Sequence, residues 1–336
     1  MRHLMIIINP IAGAVKSHGM DDLILQEAAK LTYSGPDGDM ISYEVDPRYT
    51  RYAGHASELA REAVGKNYYG VLACGGDGTI NEVAAALCDS EVALGIIPLG
   101  SGNGLARHLG IPITVKGAMK VIAEDRLLHA DYATANGHPF FCTFGVGFDA
   151  EVTDRFNKLP GRGLKNYIRT AINELFKYKS ETYTIVVNGR HITEHAWLVA
   201  VCNASQYGNN AYIAPNASIK DGRLDITVMH DGNLIENAVA AIEMLSGLVG
   251  KTANFSTFQA ESIKIIRSGG GVVHFDGEAA TLDNEIDVKC HRGGLIVFST
   301  AKKTKMRAVM APQIPILSPL ILTMRDLRFK IFNLFQ

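Results

Sequence analysis

Two glycine-rich turns constrain this chain more than any other feature of its sequence. The first is Gly-Gly-Asp-Gly-Thr at residues 75–79, after the apolar residues 71–74, and the second is residues 98–103, after the apolar residues 92–97. Short apolar segments are typical of buried strands, and parallel strands that end at one sheet edge bring the turns after them together. Glycine lets backbone N–H groups approach an anion, and a helix N-terminus attracts negative charge. The two turns therefore predict a phosphate site.

Asp77 is unusual in the first turn because a carboxylate repels a bare triphosphate. It makes chemical sense if it holds Mg2+ or accepts the proton of an attacking hydroxyl group. The common phosphate fingerprints do not fit, since Ser101 stands where a P-loop has its lysine and the glycines of residues 100–104 are spaced wrongly for a dinucleotide turn. We predict that Thr79 caps the helix after the first turn.

Strands and helices alternate along the first part of the chain. The predicted strands are 4–8, 41–45, 70–74 and 92–97, and the predicted helices lie near 18–31, 53–64, 79–87, 102–109 and 115–124. Such alternation predicts a parallel sheet with helices on both faces and ligands at the carboxyl ends of its strands. Both glycine-rich turns fall at those ends.

From residue 127 the pattern changes to strands separated by Asn-Gly and Asp-Gly turns, with helical stretches near 164–177 and 234–248. This pattern predicts a mainly antiparallel β structure, and a length of 336 residues suits two domains. The predicted fold class is α/β: an N-terminal doubly wound parallel-sheet nucleotide-binding domain at 1–126 and a C-terminal, mainly antiparallel β-sandwich domain at 127–300. Residues 301–336 form a separate tail.

A third segment, Asn-Pro-Ile-Ala-Gly at residues 9–13, directly follows the first apolar strand. With the turns at 75–79 and 98–103 it resembles, in type and order, the diacylglycerol kinase catalytic family, which includes bacterial lipid kinases and sphingosine kinases. The resemblance runs from Asn9 to about Glu278. It implies that the γ-phosphoryl group of ATP passes to a lipid hydroxyl in a Mg2+-dependent reaction, in a cleft between two domains.

On this resemblance ATP is expected to contact the three turns and the helix after the first of them. The expected cofactor-binding residues are Asn9, Pro10, Gly13, Thr50, Gly75, Gly76, Asp77, Gly78, Thr79, Asn81, Glu82, Ser101, Gly102 and Asn103. The sequence leaves two roles open for some of them. Thr50 is placed to cap a helix as well as to contact phosphate, and Ser101 and Asn103 are turn formers as well as candidates for phosphate or ribose contact.

Asp276-Gly277-Glu278 follows a predicted strand at 272–275, and as a bare pattern it is compatible with a tight hairpin turn. In bacterial lipid kinases of the resembling family the glutamate of this turn is the proton acceptor. Sphingosine kinases instead assign the base role to the aspartate of the first glycine-rich turn. This chain has both residues, so we expect Glu278 or Asp77 to act as the base while the other, with Asp276, helps to organise Mg2+.

A second carboxylate cluster lies at residues 218–225, where the spacing alone is compatible with a solvated β-turn. Bacterial lipid kinases of the resembling family carry an Asp-Gly-x-Leu type of turn that holds a structural Mg2+ with one carboxylate and neighbouring main-chain oxygens. Transferred here, the ligands are Ser218, Asp221 and Arg223. Arg223 would bind through its carbonyl oxygen, because a cationic side chain cannot ligate Mg2+.

Two other functions remain open. NAD kinases and phosphofructokinases also carry a Gly-Gly-Asp-Gly turn, but residues 9–13 together with 98–103 are the lipid-kinase arrangement. A nucleotide-binding lipid sensor that has lost catalysis is expected to lack Asp77 or Glu278, and both are present. The sequence does not decide between diacylglycerol and a sphingoid base as the acceptor.

Charge and cysteine usage bear on location. Five scattered cysteines without a Cys-x-x-Cys pair favour free thiols in a reducing cytosol, and the apolar residues 4–8 are too few for an export signal. No apolar segment is long enough to span a bilayer.

The tail at 301–336 has seven basic residues and one acidic residue, whereas the whole chain has a net charge of −1. Its apolar residues share one helical stripe: Leu320, Met324, Leu327, Ile331 and Phe335. We predict a helix that packs on the first domain or docks on a membrane surface. The protein is therefore expected to be cytoplasmic and peripheral at the membrane surface, with ATP and a lipid as partners and no nucleic acid. A homodimer is left open.

Overall fold

A computed structural model describes residues 1–13, 19–159, 170, 173–174, 178–208, 211–233, 236–237, 239–240, 243, 249 and 254–300. The predicted helices near 164–177 and 234–248 lie largely outside these residues, and the tail at 301–336 lies wholly outside them.

The first part of the chain contains short strands and helices in alternation. Its strands are β1 (His3–Ile8), β2 (Thr32–Ser34), β3 (Met40–Ser42), β4 (Glu44–Tyr49), β5 (Gly70–Gly75) and β6 (Ala93–Pro98). Its helices are α1 (Met20–Ala28), α2 (His55–Gly65), α3 (Asp77–Leu87), α4 (Gly104–His108) and α5 (Val115–Ala123). Strands β4, β1, β5 and β6 are parallel neighbours in that order. Strands β5 and β6 are buried along their whole length, which explains why their sequences are almost entirely apolar.

The second part is mainly antiparallel. It contains α6 (Phe148–Asn157) and strands β7 (Leu127–Ala135), β8 (His138–Phe140), β9 (Thr143–Gly147), β10 (Glu181–Val187), β11 (Arg190–Cys202), β12 (Gln206–Gly208), β13 (Ala211–Tyr212), β14 (Leu224–His230), β15 (Phe255–Ala260), β16 (Ser262–Ile266), β17 (Gly271–Phe275), β18 (Glu278–Leu282) and β19 (Glu285–Phe298). The predicted fold class is confirmed: a parallel sheet with helices is followed by antiparallel strands.

Strand β19 belongs to both parts. Residues 285–289 at its start pair with β16, and residues 288–298 pair with β7. Near its end, Val297 pairs in parallel with Leu94 of β6. The buried core of the first part accordingly includes Leu295–Phe298 in addition to the strands of the parallel sheet. The domain boundary between residues 126 and 127 remains a prediction.

Two local predictions were wrong. The strand predicted at 41–45 is two strands, because β3 pairs with β2 in a small hairpin while β4 pairs with β1. Pro47 fits β4 because that strand lies at the end of the sheet, where a missing N–H is tolerated. The helix after the first turn begins at Asp77, with Gly76 as its cap residue, so Thr79 is not the cap.

Candidate active site

The three turns meet at the carboxyl ends of β1, β5 and β6. The Asn9 backbone N–H donates to the Cys74 carbonyl at 3.0 Å, and the Asn9 side chain donates to Thr79 Oγ1 at 2.9 Å. Gly76 and Gly100 face each other so closely that a Cβ on Gly100 would lie 2.7 Å from the Gly76 Cα. Glycine at 100 is therefore required for the close approach of the two turns.

Asp77 joins the first turn to the second. Its two carboxylate oxygens accept the backbone N–H groups of Asn103 at 2.8 Å and of Gly104 at 2.7 Å. Gly102 is equally constrained, because a Cβ there would lie 2.7 Å from Asp77 Oδ2. The carboxylate that the sequence singles out thus binds the backbone at the start of α4.

The polar side chains of the second turn differ in what they contact. Asn103 is buried and has a φ of 53°. Its side chain accepts from the Gly100 N–H and donates to the Gly100 carbonyl, so it closes the turn. Ser101 is exposed beside it. Arg107, which was not selected from the sequence, donates from Nε to the Gly102 carbonyl at 2.8 Å.

Thr50 precedes α2, and Glu82 of α3 binds the start of that helix. The Thr50 N–H donates to the Ile8 carbonyl, which places Thr50 at the same sheet edge as Asn9. Helix α2 begins only at His55, and the Glu82 carboxylate accepts the N–H groups of Gly54 and Ala56 at its start. The cap interpretation of Thr50 was therefore wrong, because Glu82 satisfies those N–H groups.

The Asp-Gly-Glu segment forms the turn between β17 and β18. Asp276 and Gly277 both have positive φ, at 50° and 85°, as a two-residue hairpin turn of this type requires. The Asp276 carboxylate accepts the backbone N–H groups of three consecutive residues, 141–143, at 2.7 to 2.8 Å. Burial raises the pKa of Asp276 to about 6, although these hydrogen bonds act in the opposite direction.

Glu278 begins β18 with an exposed side chain, and it faces the first turn. A Cβ built on Gly78 would lie 3.8 Å from Glu278 Oε1. The structure therefore brings together a glutamate of the antiparallel part and a glycine-rich turn of the parallel part, which are 200 positions apart in the chain.

The turn at 218–225 is held by a residue that the sequence did not single out. Asp131 is 1% exposed, and its carboxylate accepts the N–H groups of Gly222 at 2.7 Å and Gly293 at 2.8 Å. Asp221 is exposed and accepts the Arg223 N–H at 3.1 Å. Asp131 could have been found from the sequence, because it is the one carboxylate in the largely apolar segment that forms β7.

Two family models match the chain. The model described as the diacylglycerol kinase catalytic domain matches residues 3–135, and the model described as the YegS C-terminal NAD kinase beta sandwich-like domain matches residues 142–295.

The similar proteins agree with these models. A protein of Pectobacterium atrosepticum named as a probable lipid kinase, YegS-like, is 31% identical over 209 residues, which cover 59% of this chain and 69% of that protein. The diacylglycerol kinase of Bacillus subtilis is 29% identical over 285 residues, which cover 83% of this chain and 90% of that protein. The crystal structure of a candidate diacylglycerol kinase from Bacillus anthracis aligns with a TM-score of 0.75 at 24% identity, over 89% of this chain and 96% of that one.

In the described part of the chain, helices long and apolar enough to cross a membrane are absent.

Proposed function

The chain belongs to the diacylglycerol kinase catalytic family of lipid kinases, and on that premise we propose that it transfers the γ-phosphoryl group of ATP to a lipid hydroxyl group. The observation that carries this proposal is the approach of Glu278 to Gly78. A carboxylate beside a turn of backbone N–H groups offers a proton acceptor next to an anion site, which is what phosphoryl transfer to an alcohol needs.

The contacts of the three carboxylates support different roles for them. Both oxygens of Asp77 and both oxygens of Asp276 accept backbone N–H groups. Glu278 has an exposed side chain at the same site. We therefore assign the base to Glu278, a role in shaping the second turn to Asp77, and a role in anchoring the hairpin turn to Asp276.

The phosphates of ATP are proposed to lie against the first turn and the N-terminus of α3. That helix has 11 residues, so its first N–H groups and its dipole favour an anion there. Asn9, Pro10, Gly13 and Thr50 border the same sheet edge. Thr79 and Asn103 hold other site residues through their side chains, so we propose that they act on ATP mainly by fixing the turns.

The turn at 218–225 suits a cation only in part. Burial, with a smaller contribution from the neighbouring Asp221, raises the pKa of Asp225 to about 6. Among the described residues, however, groups of three or more His, Cys, Asp or Glu that could hold a metal are absent. A Mg2+ ion here would depend on Asp221 together with main-chain oxygens of Ser218 and Arg223. Mg2+ bound with ATP would neutralise charge on the transferring phosphoryl group.

Thermal unfolding tests the cation site. Adding MgCl2 should raise the Tm of the wild type, because a ligand that binds only the folded state stabilises it. Asp221→Asn should lose this shift. Asp231→Asn, at an exposed aspartate of another Asp-Gly pair, is the matched control and should keep it. An equal shift in both variants would exclude Asp221 as a ligand.

The proposed reaction is tested with labelled ATP and a panel of acceptors. Dioleoylglycerol and sphingosine in mixed micelles, NAD, and a control without acceptor are incubated with the full chain, and the products are identified by mass spectrometry. Label in one of the lipids is the expected result. Label in NAD would instead support a soluble-substrate kinase, and ATP binding without any product would support a catalytically silent lipid sensor.

Contact with a membrane surface stays part of the proposal. Its sequence basis is the basic tail, which lies outside the described residues.

A further inference from the structure

A buried polar cluster lies beneath the hairpin that carries Glu278. His274 of β17 contacts Asp149 of α6, with Nε2 and Oδ2 3.0 Å apart. Tyr207 of β12 donates its hydroxyl to the same carboxylate oxygen at 2.7 Å. The other oxygen of Asp149 accepts the Ala150 N–H at 2.9 Å. Because an ionised carboxylate only accepts hydrogen bonds, Nε2 of His274 carries the proton that it donates to Asp149.

The burial of this cluster is nearly complete. His274 is 1% exposed and Asp149 is 4% exposed. The Nδ1 atom of His274 is buried without a hydrogen-bond partner among the described residues. An apolar pair would avoid the free-energy cost of burying these groups, so their presence here points to a role other than packing.

Gly145 of β9 makes the contact between His274 and Asp149 feasible. A Cβ at Gly145 would overlap both Asp149 Oδ2 and His274 Nε2. Gly145 is not among the glycines with positive φ, so a special backbone conformation does not explain it. The close approach of two polar side chains over the strand does explain it.

The cluster connects the elements that form the candidate site. At the other end of α6, Asn157 donates to the Gly277 carbonyl of the hairpin turn at 3.3 Å. Helix α6 therefore holds the hairpin both at β17 and at its turn. On the opposite side, β12 follows Ser205, whose hydroxyl lies 3.0 Å from Nδ1 of His108 in α4. The cluster thus lies between the second glycine-rich turn, which leads into α4, and the turn before Glu278.

We propose that His274 is a positioning residue, and that its hydrogen bond to Asp149 fixes the β17–β18 hairpin so that Glu278 stays beside the first glycine-rich turn. This inference rests on the proposed function, because it assumes that the position of Glu278 matters for turnover. A displacement of about 1 Å at a reacting group lowers the rate by as much as about 10²-fold. The ring of His274 does not need to touch substrate for this effect.

Three variants test the proposal. His274→Gln retains an amide N–H near the position of Nε2, whereas His274→Leu removes every donor. Gly145→Ala leaves all three polar side chains unchanged and inserts a methyl group where His274 and Asp149 meet. The matched controls are His230→Gln, at a histidine on β14 outside the cluster, and Gly269→Ala, where a Cβ would meet nothing within 4 Å.

Two measurements are made on each folded variant, with dioleoylglycerol or sphingosine in mixed micelles as the acceptor, whichever the wild type phosphorylates. We expect His274→Leu and Gly145→Ala to lower kcat by roughly 10- to 100-fold with little change in the KM for ATP. Backbone hydrogen exchange at residues 271–282 should become faster in both. The kcat of His274→Gln should stay within a few-fold of the wild-type value. Both control variants should have the kcat and the exchange rates of the wild type.

The outcomes separate this inference from the proposed function. Unchanged kcat, or unchanged exchange in the hairpin, in His274→Leu and Gly145→Ala would overturn the positioning role. Equal loss in His274→Gln and His274→Leu would also overturn it, because the donor to Asp149 would then not be what matters. If the wild type phosphorylates neither lipid, the proposed function fails, and hydrogen exchange alone decides whether the pair fixes the hairpin. If His274→Leu does not fold, Gly145→Ala and His274→Gln still give the answer.

Discussion

At the scale of single residues, the carboxylates of the candidate site differ in what surrounds them. Both oxygens of Asp77 and of Asp276 accept backbone N–H groups, whereas Glu278 extends from the start of a strand with its side chain exposed. Hydrogen bonds to backbone N–H groups hold a carboxylate in place against the main chain, whereas an exposed side chain can approach a substrate hydroxyl group. The same residue type therefore shapes the backbone at two positions and is available for chemistry at the third.

Replacing Asp77 should damage the nucleotide site through the backbone. In Asp77→Asn one oxygen becomes an NH2 group that faces a backbone N–H, so either Asn103 or Gly104 loses its acceptor. An unpaired N–H costs about 1–3 kcal/mol. We expect ATP to bind roughly 5- to 140-fold more weakly and turnover to fall with it, as measured by calorimetry and by product formation.

The matched control is Asp37→Asn, at an exposed aspartate in a loop of the same part of the chain. Unchanged ATP affinity in Asp77→Asn would mean that the two N–H groups do not need the carboxylate.

Glu278→Gln should separate binding from chemistry. The amide keeps the size of the side chain but cannot accept a proton, so kcat should fall by roughly 10²-fold or more while the dissociation constant of ATP stays the same. Glu181→Gln, at an exposed glutamate of β10, should behave like the wild type. A normal kcat with a raised KM for lipid would make Glu278 a substrate-positioning residue and transfer the base role to Asp77.

Residue patterns predicted which side chains belong to the candidate site better than they predicted what those side chains contact. Asp77 and Glu278 were chosen from short motifs, whereas the partners of Asp77 lie 26 and 27 residues away. Thr79 and Thr50 were assigned as caps from local preference, but α3 begins two residues before Thr79, and Glu82 binds the N–H groups at the start of α2. His274 and Asp149 gave no local signal, because their contact joins residues 125 positions apart.

At the scale of elements, the β17–β18 hairpin is held along its length. Arg267 lies at its open end, where the guanidinium group donates to the carbonyl oxygens of Val272, Gly271 and Leu282 at 2.7 to 3.1 Å. Arg267 is 6% exposed, and burial lowers its pKa. His274 holds the middle of the hairpin, and Asp276 holds its turn. The hairpin turn itself was predictable from Asp-Gly, but Arg267 was not, because its partners are main-chain atoms.

Arg267→Met should destabilise the protein because it removes a donor from each of three carbonyl groups of partly buried residues. We expect the free energy of unfolding to fall by about 2–4 kcal/mol, as measured by urea denaturation. Arg190→Met, at an exposed arginine of β11, should change it by less than about 0.5 kcal/mol. A similar small change in Arg267→Met would show that water replaces the lost donors.

At the scale of the whole molecule, the two parts meet through polar contacts as well as through β19. His108 of α4 accepts the Ser205 N–H at Nδ1, 3.2 Å away. Burial lowers the pKa of His108 to about 4 from an ordinary 6.5. The unfolded chain therefore binds a proton in a range of pH where the folded protein does not.

Stability should consequently fall as the pH decreases from about 6.5 to about 4, by at most about 1.4 kcal/mol per pH unit from this group. Above pH 6.5 its contribution is complete. Asp225 and Asp276, whose pKa values are raised to about 6, act in the opposite direction.

Urea denaturation of the wild type and of His108→Gln between pH 4.5 and 7.5 isolates the contribution of the histidine. His55→Gln, on the surface of α2, is the control. Parallel curves for the wild type and His108→Gln would contradict the prediction.

The shared strand β19 also has a consequence in time. During synthesis β6 emerges early, but its partner Val297 is added about 200 residues later. At ribosomal rates this delay is roughly 10 to 40 seconds, during which the edge of the nascent parallel sheet is open to pairing with another chain. The last strand among the described residues thus covers the edge of a sheet formed by earlier strands, and we expect slower translation to increase aggregation of nascent chains more than it affects the finished protein.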